Sequence, residues 1–154
     1  MTLAYAVLLC LHLLAAALWV GGMAVVQFAV RPSAAATLPP PQRLALMAAT
    51  LDRLIESVGW AIVVLLVSGL AMIWIAGGFA IVHWGVHAML AVGLAMMVIY
   101  GVIRWRLFAP LQRAVAAADW PQAGAALQRI RQWVEVNLIL GVLVFAIATT
   151  ARAI

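Results

Sequence analysis

The stretch AIVVLLVSGLAMIWIAGGFAIVHWGVHAMLAVGLAMM, residues 61–97, holds two apolar runs separated by a few residues around Gly77-Gly78-Phe79. A membrane-crossing helix needs about 20 mostly apolar residues. Two such runs joined so tightly must fold back on each other as an antiparallel hairpin. The first run is expected to span the membrane over residues 58–76, the second over 81–103.

Working outward, two more runs qualify. One covers residues 3–30 and stops at Arg31-Pro32; the other covers 133–150 and stops near Arg152. Residues are 69% hydrophobic and only 8% charged, against about 25% charged in a soluble domain. The expectation is an all-α integral membrane protein. It is one domain over residues 1–154, an antiparallel four-helix transmembrane bundle with helical cytoplasmic extensions. The apolar N-terminus continues past the length of a signal-peptide core and has no basic leader, so it reads as a span.

The two longer connections are amphipathic. After Pro39-Pro40-Pro41, residues Leu44, Met47, Leu51, Leu54 and Ile55 recur at helical spacing among Arg43, Asp52, Arg53 and Glu56, which suggests a short interfacial helix leading into the second span. In the connection before the fourth span, Asp119 is a candidate N-cap with Pro121 in the first turn.

All nine basic residues are arginines, and the net charge is +5. Eight of the nine (Arg31, Arg43, Arg53, Arg104, Arg106, Arg113, Arg129 and Arg131) sit in or beside the long connections, and none lies in the Gly77-Gly78 turn. The positive-inside bias places the long connections in the cytoplasm and both termini in the periplasm of a bacterial inner membrane. The charge thus speaks for orientation and anionic lipid rather than nucleic acid. Trp74 and Trp84 fall near the outer ends of spans and Trp60, Trp105 and Trp133 near the inner ends, as interfacial belts; Trp19 lies within its span beside Gly21-Gly22. Cys10 is the only cysteine and reads as a small apolar filler.

The chemistry rests on three histidines. His12 should lie about 13 Å into the first span and His87 about 9 Å into the third, from the outer side, at about 1.5 Å per residue. His83, four residues before His87, shares its helix face and lies nearer the surface. The first and third helices of an up-down bundle are diagonal neighbours, so His12 and His87 are placed to clamp a haem b iron between them, for electron transfer or small-molecule redox with a redox partner or quinone. Copper is the alternative, held by His12, His83 and His87 with Met23, Met72 or Met89 as additional donors. A third reading is a structural or partner-binding subunit whose histidines bond neighbouring helices. Arg152, at the level of the histidines, could pair with a haem propionate or a lipid phosphate. Asn137, on the same face, is expected to bond a neighbouring helix. Gln27 and Arg31 share a face at the inner end of the first span and read as snorkelling groups. Small lipid-facing residues would permit a homodimer. Only Asp52, Glu56, Asp119 and Glu135 are acidic, all outside or at the edge of the spans.

LHLLAAALWVGGM, with its H-x6-W-x-G-G pattern from His12 to Gly22, together with the later Arg31-Pro32, resembles the CopD family of bacterial inner-membrane proteins. The likeness continues through HWGVHAMLAVGLAMMVIYGVIRWRLFAPLQR and NLILGVLV. The resemblance implies a four-helix membrane domain with His12 as the family histidine, and an association with copper handling. It also implies kinship with HemJ-type haem-binding protoporphyrinogen oxidases. Those use a histidine and a lysine near haem, and this chain has no lysine.

Overall fold

The computed structural model describes residues 2–150. Four helices carry nearly all of them: α1 (Leu3–Thr37), α2 (Pro40–Ile75), α3 (Trp84–Ala116) and α4 (Trp120–Thr150). Each is long and apolar enough to cross a membrane, and no strand occurs among the described residues. The lengths of 31 to 36 residues correspond to about 45–55 Å of helix, against about 30 Å of bilayer hydrocarbon. Every helix therefore outruns the membrane. The surplus lies at the end where the arginines gather, because the opposite end is closed by the apolar turn between α2 and α3.

Four boundaries differ from the sequence expectation, two of them because of a widened turn ahead of a proline. The first helix does not stop at Arg31-Pro32. A wide π turn over Val26–Val30 precedes the proline, with the Arg31 N–H bonding to the Val26 carbonyl. Proline has no N–H and crowds the carbonyl four residues back. Here that carbonyl belongs to Phe28, inside the widened turn, so the helix runs on. The third helix repeats the device: a π turn over Ile103–Leu107 precedes Pro110, with the Phe108 N–H reaching the Ile103 carbonyl. The expected interfacial helix after the triple proline is not separate, since α2 is unbroken from Pro40 to Ile75. Finally, α3 begins at Trp84 rather than Ile81.

The turns are closed by backbone hydrogen bonds. After α2, Gly77 and Gly78 have φ of 101° and 94°. The Gly78 N–H bonds the Ile73 carbonyl at 2.9 Å and the Gly77 N–H bonds that of Trp74 at 3.1 Å, a Schellman closure. After α3 the same closure recurs, with Asp119 N–H to Ala114 and Ala118 N–H to Val115, but Ala118 takes the left-handed position at φ 53°. Asp119 then caps α4, its Oδ1 accepting from the Gln122 N–H at 3.0 Å, with Pro121 in the first turn as expected.

α1 packs along α2 and α3 along α4, while α4 also touches α1 and α2. Gly22 allows α1 to approach α2, since a Cβ there would stand 2.7 Å from Leu54 Cδ1; Gly141 lets α4 close on Val20 of α1. The most completely buried side chains include Phe108, Leu111 and Ile130, in the arginine-rich half. Leu3, Val7, Leu14, Val67, Ile139 and Val142 are exposed along the membrane-crossing half. That division follows from solvent. The arms stand in water, where apolar burial drives packing; lipid offers apolar side chains no such incentive. Trp60, Trp74, Trp84 and Trp105 are exposed, as the belts require, and Trp19 is buried. Trp19 meets Tyr100 edge-on, with ring centroids 6.5 Å apart, and the Tyr100 hydroxyl donates to the Ile55 carbonyl at 3.0 Å. These contacts tie α1, α2 and α3 at mid-height.

Candidate functional site

His12 is held by α2. Its Nδ1 lies 2.9 Å from Ser68 Oγ, across the α1–α2 interface. Ser68 is 2% exposed and its hydroxyl also contacts the Val64 carbonyl at 2.5 Å, one turn earlier on α2. A hydroxyl has one proton, and a carbonyl can only accept. The serine proton therefore goes to Val64, and Ser68 accepts from His12 Nδ1–H. In that assignment Nε2 carries a lone pair, the form in which a neutral imidazole ligates a metal. Gly69 supplies the room, because a Cβ at that position would stand 3.2 Å from His12 Cε1. Counting from the outer ends, His12 is about 13 Å into α1 and Ser68 about 10 Å into α2.

The other sequence-predicted groups are placed differently. His83 is not on the face of α3 with His87; it is the N-cap of that helix, its Nδ1 accepting from the Gly85 N–H at 3.2 Å. His87 is exposed, with its ring 6.2 Å from that of Phe79. Because α3 starts at Trp84, His87 lies only about 5 Å from its outer end, shallower than the expected 9 Å. Among the described residues no group of three His, Cys, Asp or Glu side chains is set to hold a metal, so the expected three-nitrogen cluster of His12, His83 and His87 does not assemble. Met23 is buried in the core, Met72 lies one turn outward from Ser68 on α2, and Met72 and Met89 are both half-buried. Cys10 is exposed on the apolar surface of α1. Arg152 lies outside the described residues.

Two polar groups that the sequence singles out are held differently from the expectation. Gln27 is not a free snorkelling group: its Nε2 donates to Glu135 Oε1 at 2.6 Å, and Arg131 Nε donates to the same oxygen at 2.7 Å, pinning α1 to α4. Asn137 is 1% exposed and its Oδ1 has no partner among the described residues, so the expected bond from that oxygen to a neighbouring helix is not made. Ser68 itself carried one usable signal. Counted inward from the Gly77-Gly78 turn, it falls near the depth of His12.

A family model for copper resistance protein D matches residues 48–151. The chain belongs to the CopD family. The match takes in most of α2 and all of α3 and α4, so Ser68 lies inside it, while α1 with His12 precedes it. No curated protein and no solved structure matches the chain. Family and fold together make this CopD member a multi-pass, four-helix membrane protein related to copper resistance.

Proposed function

We propose that this CopD protein handles copper within the outer half of the bacterial inner membrane, taking the ion as cargo on His12 Nε2. The observation that carries the reading is the His12–Ser68–Val64 chain of hydrogen bonds. An intramembrane histidine needs a reason, and one whose Nδ1–H is anchored by a buried acceptor is prepared to ligate through Nε2. Imidazole suits copper in either oxidation state, and the thioether of Met72 suits Cu(I). The arginine bias supports a periplasmic position for this end of the bundle. The family is the reason to prefer copper to haem b clamped by His12 and His87.

Purified protein in mild detergent should bind copper stoichiometrically. His12→Ala should abolish the binding. Ser68→Ala should weaken it by about 10- to 100-fold, the usual cost of losing a group that orients a ligating histidine. Unchanged copper affinity in His12→Ala would overturn the proposal. A Soret band in the wild type that shifts on reduction would transfer the site to haem.

A further inference from the structure

A second site is built between α2 and α3, at the inner end of the membrane. Asp52, Glu56, Gly59, Trp60 and Val63 of α2 face Tyr100 and Arg104 of α3 across a cleft of about 380 Å³. The α2 residues follow one helix face in a graded order: two carboxylates, then an indole, then an aliphatic side chain. Asp52 to Val63 covers about 16 Å of helix axis. Trp60 and Val63 are exposed at the apolar end, where the bilayer begins. Arg104 and both carboxylates line the same cleft, yet neither carboxylate lies within ion-pair distance of Arg104; the only salt bridge among the described residues joins Arg131 and Glu135. Asp52 has only a long contact from Gln112 Nε2, at 3.4 Å. The Tyr100 proton is committed to the Ile55 carbonyl, which leaves its oxygen free to accept.

We infer that this cleft binds a phospholipid whose head group carries both a primary ammonium and a phosphate. Opposite charges that line one cleft without meeting are complementary to a zwitterion. An ammonium with three N–H donors suits Asp52, Glu56 and the Tyr100 oxygen, and a phosphate suits the Arg104 guanidinium. Trp60 occupies the depth where indoles sit in membrane interfaces, and Val63 receives the start of an acyl chain. A phospholipid needs this order of charged, aromatic and aliphatic surface; a free anion does not. The inference is independent of the copper reading.

Native mass spectrometry of the full chain in detergent, titrated with phosphatidylethanolamine, phosphatidylcholine and phosphatidylglycerol of identical acyl chains, tests it. Phosphatidylethanolamine should be retained about threefold to tenfold better than either of the others, the scale of one or two partly exposed charge-assisted contacts. The double variant Asp52→Asn, Glu56→Gln should lose that preference, and Arg104→Gln should weaken all three lipids together. Equal retention of the three lipids by wild type, or an intact preference in the double variant, would overturn the proposal. So would displacement of the lipid by free phosphoethanolamine at matched concentration, which would make the ligand a soluble one.

Discussion

Serine within an apolar helix commonly satisfies itself on the carbonyl four residues back. Ser68 does so and still lies within hydrogen-bond distance of His12 Nδ1, which lets an otherwise ordinary helix residue position an imidazole. The ring position also depends on Gly69. Valine there should crowd His12 Cε1, break the Ser68 contact and lower copper affinity about as far as Ser68→Ala, while the helix content measured by circular dichroism stays unchanged. His12 was legible as a functional candidate because a histidine is conspicuous in an apolar run. Its partner was not, because a serine in such a run reads as filler and the pairing joins residues 56 apart. Asn137 shows the opposite failure: it was singled out for a bond that its oxygen does not make. A buried carbonyl left unpaired costs about 1–3 kcal/mol. Asn137→Leu, which keeps the branch at Cγ and removes the unpaired oxygen, should therefore raise the thermal midpoint in detergent, with copper binding intact. A lowered midpoint would show that the amide has a partner in the membrane.

Among the elements, the two π turns explain why the sequence boundaries fell short. Proline after an apolar run signals a stop, yet Val26–Val30 and Ile103–Leu107 widen the helix just ahead of Pro32 and Pro110 and carry it through. No residue type marks a π turn, so the signal read from proline was the right physics applied without the compensating geometry. The span cores and the Asp119 cap were legible because they rest on composition and capping chemistry; the expected tight hairpin is looser, since residues 76–83 separate α2 from α3 and α2 packs mainly on α1. The α3–α4 turn contains a correctable defect. Ala118 holds the left-handed position that glycine fills after α2, and its Cβ makes that conformation cost about 1 kcal/mol. Ala118→Gly should stabilise the protein by up to that amount, less the glycine's greater unfolded-state freedom, seen as a small rise in the thermal midpoint. A fall would mean that the Schellman closure at Asp119 is not retained in solution.

For the whole molecule, packing and charge divide along one axis. The arginine-rich half is held by a buried core that includes Phe108, Leu111 and Ile130 and by the Gln27–Glu135–Arg131 contacts; the other half leaves large apolar side chains open to lipid and carries His12. Water drives the first kind of packing and lipid does not, so this asymmetry agrees with the arginine bias about which ends leave the membrane. Both place the Gly77-Gly78 turn on the side opposite the arms. The prediction is direct: in a Cys10→Ala background, Gly78→Cys should react with a membrane-impermeant thiol reagent in intact spheroplasts, whereas Ala117→Cys, in the α3–α4 turn, should react only after lysis. Gly78 has open space where a side chain would go, but its φ of 94° is strained for any residue with a Cβ. Phe79→Cys, one residue on and exposed, therefore serves as the unstrained second probe. Labelling of both α2–α3 turn probes only after lysis would reverse the orientation. His12 would then open toward the cytoplasm, and the proposed site would receive copper from inside the cell rather than from the periplasm.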